Sequence, residues 1–528
     1  MNTNNVWKMD NLFFGCSKLT TININNFSSN NLISTTSMFQ GCNKLKTITF
    51  PNNFASGVTN MDKMFYECSS LTNINFSLLK TSNVNSMNYM FYGCSQLSQF
   101  IDTNFNSQNV VSMKYLFAKT GLTTIDLNIL KINNVEYADY MFFGCSNLHA
   151  ITNYLNIVST PVISMSHLFE GCSKLEYIDL TKLNTPSLTN MDSMFLSCSK
   201  LTSVNLTGFD TSKVTTMAGL FKRCENISYI EFPILNTAAL KNMSQMFENC
   251  HNLTSVDFSK IDTSKVVNMS YMFASCHSLL SIDLKDLNTD SVIYINHFLY
   301  DCINLTEFNS FFNATKVETM GYFLGNGLEL ISADLSMLDT PSLVNMDFMF
   351  INCPKLISVN FKNFESSNVT SMIGLFKDCS SITFIDFHYL NGSSLKNMKS
   401  IFENCISLKS INFANFDTSK VLDMSHMFES CTELDKLDLF DLKTNSVINM
   451  SNMFENCIKL KSIDLSKLKA QNVQDMSYMF NSCVNLASLD LSLLNISIVK
   501  NLYSMFNNCT QLSKINLENI NKNRFIRI

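Results

Sequence analysis

The sequence predicts an α/β solenoid of about 20 repeats. Each coil would lay one short strand on a parallel inner sheet and return through a turn and a short helical or 3₁₀ outer segment. Three observations predict it: a cysteine that recurs every 26 residues, a fixed order of apolar positions within the 26, and a shortage of the residues that punctuate domain boundaries. Only 14 Gly and 6 Pro occur in 528 residues, too few to link three or four ordinary domains, and 46% of the chain is hydrophobic. That composition supplies a core and excludes disorder.

The 18 cysteines fall at 16, 42, 68 and 94, then from 145 to 302, then from 353 to 509, almost all 26 residues apart. Two intervals of 51 each hide a repeat without its cysteine, where Thr120 and Gly327 stand in the vacant places. Repeats therefore occupy essentially the whole chain, and residues 1–528 read as one array with no clear caps. A block of about six repeats is duplicated at an offset of 155: the segment from Leu183 to Cys198 matches that from Leu338 to Cys353 at 11 of 16 positions.

One unit runs from Leu253 to Ser278. Its first part, Leu253, Val256 and Phe258 with polar residues between, alternates as a strand with one buried face does. Asp262-Thr263-Ser264-Lys265 is a polar turn whose Asp and Ser can bond nearby amides. The closing Val266, Met269, Met272, Phe273 and Cys276 are spaced by threes and fours, which suits a helical or 3₁₀ segment with Met, Phe and Cys in the core. Strand, turn, short helix and return make one coil of a leucine-rich-repeat type solenoid.

The pattern D-T-S-K-V-x-x-M-x-x-M-F-x-x-C, carried by Asp210 to Cys224, Asp262 to Cys276 and Asp417 to Cys431, resembles the BspA-like leucine-rich-repeat surface proteins. It departs from the familiar L-x-x-L-x-L-x-x-N/C-x-L motif, because Phe209 or Ile261 stands where an Asn or Cys ladder would lie. The resemblance implies a non-enzymatic adhesion or partner-binding protein at a cell surface or outside the cell, with no catalytic residues and no cofactor.

The chemistry-bearing residues read chiefly as structure. Cysteines one period apart occupy a single column, at about 4.8 Å per coil, with parallel side chains that make bridging awkward. Buried free thiols acting as small hydrophobes account for them. No C-x-x-C or mixed Cys/His cluster suggests a metal. His251 and His277 share one column, His167, His297 and His426 another, and exposed turn positions account for both. No hydrolase, phosphate-loop or dinucleotide motif occurs. The irregular stretches 148–160 and 311–330 are the places where a divergent site would have to sit.

The informative column is the residue between the two apolar strand positions. It is acidic at Asp126, Asp179, Glu231, Asp257, Asp283, Asp334, Asp386, Asp438, Asp464 and Asp490, and Asn at most other coils, with all of these acidic residues but Asp126 the candidate partner-binding residues. Two readings stand. The column binds a cationic group of a partner on the inner face, or it is a solvated strand edge whose Asp and Asn favour adjacent amides. A net charge of −5 and a pI near 5.8 exclude a strongly basic nucleic-acid binder and leave a protein or glycan as partner. Val6, Met9, Leu12 and Phe13 are already in repeat register, and no run of 18 apolar residues could span a membrane. An intracellular scaffold therefore stays beside the surface protein as a reading, and uncapped ends would permit end-to-end self-association.

Overall fold

The structure is a computed structural model that describes residues 3–516 apart from 153–159, 181–182, 208, 234, 438 and 493. It divides into two compact units, Met1–Lys265 and Val266–Ile528. Each is a β-solenoid, and the repeats close about 19 turns of about 26 residues.

The L-x-x-V-x-F segments form strands of two or three residues that pair in parallel with the equivalent residue of the next coil. In the first unit Thr21–Asn23 pairs with Thr47–Thr49, Tyr177–Asp179 with Ser203–Asn205, and Tyr229–Glu231 with Ser255–Asp257. In the second, Ser332–Asp334 lies between Glu307–Phe308 and Ser358–Asn360, and Phe384–Asp386 pairs with Ser410–Asn412. A second ladder of single bridges follows the Asn-Met position, from Lys8 to Asn242 in the first unit and from Asn268 to Asn501 in the second. Register is set by the core: a slip of one residue would turn the apolar side chains outward.

The outer segment corrects the expectation of a helix. The only α-helix among the described residues is Leu127–Leu130, capped by the Asp126 carboxylate and ended by Lys131 at φ 42°. Elsewhere the arc is a series of overlapping turns. From Met269 to Cys276, the N–H groups of Met269, Tyr271, Phe273 and Ser275 donate to Tyr294, Asn296, Phe298 and Tyr300 of the next coil. The intervening N–H groups of Met272, Ala274 and Cys276 donate three residues back. Tyr271 and Ser275 have φ of 60° and 57°, which no right-handed helix tolerates. Threes-and-fours spacing survives because Met269, Met272, Phe273 and Cys276 still face inward; half of the backbone bonds simply leave for the neighbouring coil.

Two left-handed positions thus recur in each coil. The second, just before the cysteine, is filled largely by residues that accept this conformation, among them Gly15, Gly41, Gly93, Asn249, Asn326, Asn352, Asn404, Asn456 and Asn508. Asn456 has φ 60°. Asn456→Val should cost about 1–2 kcal/mol, since a β-branched residue there is strained, whereas Asn456→Gly should stay within about 1 kcal/mol of the parent. Urea midpoints of the two variants check this; equal midpoints would contradict the left-handed assignment.

Inside the turns run three ladders. The Phe column from Phe13 to Phe247 stacks ring on ring, with centroids 5.3–5.8 Å apart and planes within 11°. In the second unit it resumes from Phe350 to Phe506, after two coils in which Leu299 and Leu324 hold the place. Beside it cysteine thiols donate to the carbonyl of the ladder residue one coil back, as Cys224 Sγ does to Phe195 O at 3.1 Å and Cys353 Sγ to Leu324 O at 3.3 Å. The third ladder is the Thr of D-T-S-K. The segment reads as a polar turn, yet at its Thr position Thr185, Thr211, Thr237 and Thr418 are buried. Thr237 Oγ1 donates to Asp262 O and accepts from Asp262 N, both at 2.7 Å, so one hydroxyl closes the backbone gap to the next coil.

Candidate functional site

The strand-face column lies at the end of each strand, where the chain turns. Asp257 Oδ1 accepts from Ser259 N at 2.9 Å, Asp334 Oδ1 from Ser336 N at 2.9 Å, and Asp386 Oδ1 from His388 N at 3.0 Å. Asp464 and Asp490 do the same with Ser466 N and Ser492 N, each at 2.8 Å. Asn205 and Asn360 make the equivalent bond, which explains why Asp and Asn alternate in this column: either side chain closes the turn through its oxygen. Asp179 is half-buried at the end of its strand and Glu231 occupies the same register on Tyr229–Glu231. Asp438 lies outside the described residues.

Repulsion along the column is eased in two ways. Asn360 Nδ2 donates to Asp334 Oδ1 at 3.0 Å and Asn412 Nδ2 to Asp386 Oδ1 at 2.9 Å, so an amide separates the charges. Asp283 instead has the Lys285 ammonium at 2.9 Å. That ammonium holds the Asp283 carboxyl below the usual range, as the Ser466 amide does for Asp464 and the Ser492 hydroxyl and amide do for Asp490. These groups are charged at neutral pH. Their folded values lie below the unfolded one, so their contribution to stability is complete above about pH 4 and is lost as pH falls through the folded values.

The cysteines are free and buried, except that Cys16 is exposed and Cys509 half-buried. Burial pushes Cys42 and Cys145 up to about 11 and Cys250, Cys302 and Cys483 up to about 12, so these five are thiols at neutral pH. Thr120 keeps a donor in the column but turns it within its own coil: its hydroxyl donates to Phe117 O at 2.8 Å, the carbonyl that also accepts the Cys145 thiol at 3.0 Å. At Gly327 a methyl group would stand 3.1 Å from Leu330 Cβ and 3.3 Å from Leu324 O, so the column is narrow there. Among the described residues no group of three or more His, Cys, Asp or Glu could hold a metal ion.

His167, His297 and His426 do not sit in exposed turns. All three occupy the first left-handed position of the arc, half-buried. Their column is a ladder of rings: Tyr89, Tyr115, Tyr140 and His167 stack at 4.5, 4.4 and 4.3 Å in the first unit. Tyr271, His297 and Tyr322 stack at 4.2 and 4.5 Å in the second. Burial lowers His297 to about 4, so it is neutral. His167 and His426 each face a glutamate, Glu170 and Glu429, at 2.5 Å. The sequence signal was the recurrence of Tyr or His two places after the first Met. Of the irregular stretches, 153–159 lies outside the described residues, while Val317, Met320, Phe323 and Leu324 are buried as in any other coil.

The sequence profile of the family described as Mycoplasma protein of unknown function, DUF285, matches in six overlapping segments, 1–71, 47–157, 156–231, 231–330, 326–436 and 396–520. No curated protein matches the chain. Among solved structures, it is similar to a leucine-rich repeat protein from Bacteroides ovatus at 17% identity, covering 86% of this chain and 80% of that one with a TM-score of 0.30. A leucine rich cell surface protein from Faecalibacterium prausnitzii matches at 16% identity, covering 77% and 83%, also at 0.30. An internalin from Listeria monocytogenes matches at 14% identity, covering 69% and 87%, at 0.19. Among the described residues no helix is long and apolar enough to cross a membrane.

Proposed function

We propose a non-enzymatic binding role for this chain, which belongs to the family described as Mycoplasma protein of unknown function, DUF285. The strand face is the binding surface, and its ligand is a protein or a glycan met at the cell surface. The observation that carries this reading is the column of exposed or half-exposed carboxylates and amides presented coil after coil by strands whose alternate residues turn toward the core. The likeness of the D-T-S-K-V repeats to BspA-like surface proteins supports adhesion or partner interaction as the role. Because the cysteine spacing continues unbroken from Cys250 to Cys276, the repeats read as a single array along the sequence. An intracellular scaffold is the second reading; the 18 unpaired cysteines favour it, since oxidising compartments select for paired ones.

Protein and glycan arrays probed with the intact chain and with an Asp438→Asn/Asp464→Asn/Asp490→Asn variant test the face. Ligands that bind the intact chain should lose about tenfold in affinity at low salt in the variant, with a shallower salt dependence. An identical binding profile would remove the acidic column from the site.

A further inference from the structure

The strand face changes character within the second unit. Three residues before the column position stand Thr306, Thr383, Lys409 and Lys461 in several coils. Around the coil that lacks its cysteine the same position holds Ile331 and Ile357, 46% and 55% exposed, and Met337 and Phe384 nearby in sequence are 63% and 50% exposed. Ile331 and Ile357 lead directly into the paired strands Ser332–Asp334 and Ser358–Asn360. On these strands opens a concavity of about 480 Å³, lined by the carboxylates of Glu307, Asp334 and Asp386, the amides of Asn309 and Asn360, and the Tyr389 ring.

No Lys, Arg or His lines that concavity. The turn and inter-coil bonds of Asp334 and Asp386 all engage Oδ1. Among the described residues neither carboxylate forms an ion pair, in contrast to Asp283 with Lys285 at 2.9 Å. Negative charge without a counter-charge therefore lies along strands whose entry residues, Ile331 and Ile357, are exposed and aliphatic.

We propose that this stretch of strand face docks a basic, amphipathic segment of a partner protein, with its Lys or Arg heads in the concavity and its apolar side chains over Ile331 and Ile357. The proposal rests on the reading of the strand face as the binding surface and gives it a place and a partner chemistry. Charge complementarity argues the occupant: a lone divalent cation would leave the isoleucines uncovered, and a neutral glycan would leave the carboxylates without a counter-charge.

Fluorescence anisotropy with the intact chain and a labelled peptide of alternating Lys and Leu tests this, with alternating Lys/Ser and Glu/Leu peptides as controls. The Lys/Leu peptide should bind best. Asp334→Asn/Asp386→Asn should weaken it at least about tenfold, and Ile331→Ser/Ile357→Ser about threefold or more, while Asp210→Asn/Asp262→Asn, in turns off the strand column, leaves it within about twofold. Circular dichroism of each variant establishes that the solenoid is intact. An unchanged Kd in Asp334→Asn/Asp386→Asn would overturn the site. Equal weakening by Asp210→Asn/Asp262→Asn would also overturn it, and the acidic-face reading would then stand or fall on the Asp438, Asp464 and Asp490 variant alone. Binding of calcium chloride or chito-oligosaccharide in place of any peptide would overturn the occupant.

Discussion

Phe195→Ala should destabilise the first unit by about 3–5 kcal/mol, measured as a lowered urea midpoint. Phe195 is 0% exposed and lies in the ring ladder, 5.8 Å from Phe169 and 5.7 Å from Phe221. Truncation opens a cavity and removes two stacked neighbours, each worth about 0.5–1.5 kcal/mol beyond burial. Neighbouring rings cannot collapse into the gap, because each is held by the coil above or below. In a repeat array the damage is local, so amide exchange should accelerate first in the coils on either side of Phe195. Phe195→Leu should cost under about 1.5 kcal/mol, since Leu299 and Leu324 occupy this position naturally, buried at 1% exposure each. A Phe195→Ala loss below about 1 kcal/mol would mean that the stack does not organise the core.

Thr237→Val should cost about 2–4 kcal/mol although it preserves shape. Thr237 is 1% exposed, and its hydroxyl is the partner of both the N–H and the C=O of Asp262. Valine fills the space but orphans the two backbone groups, each at about 1–3 kcal/mol. Thr237→Ser keeps the hydroxyl and should lose much less. Ser366 already makes the same double contact with Asn391, donating at 3.1 Å and accepting at 2.7 Å. Chemical denaturation of the pair separates the cases; equal losses for Val and Ser would show that methyl packing, not the hydroxyl, matters at this column.

The period, the strand positions and the inward columns were legible in the sequence because each leaves an apolar residue at a fixed place. What failed was the geometry of the arc. Met269, Met272, Phe273 and Cys276 face inward whether the segment is a helix or a run of turns, so apolar spacing cannot distinguish the two. The distinguishing signal was Gly or Asn just before the cysteine, at Gly41, Gly93, Asn352 or Asn404, where φ is positive. The buried Thr was hidden by chemistry of another kind: D-T-S-K is polar throughout, and only the next coil's backbone shows why Thr237 belongs inside. In the strand column the residue types were readable but their circumstances were not. That Asp334 and Asp386 face the amides of Asn360 and Asn412 depends on neighbours one coil away, whereas Asp283 is met by Lys285 of its own turn.

The central claim is that the cysteines are a structural column of buried, unpaired thiols that marks each coil, not a disulfide framework or a reactive site. Alkylation of the native chain at neutral pH, followed by peptide mass spectrometry, tests it most directly. Cys16 should be labelled rapidly and Cys509 more slowly, with the other 16 of the 18 protected until denaturant is added, after which all react. Rapid native labelling throughout the column, or cysteines that stay unreactive in denaturant until a reductant is supplied, would contradict the account.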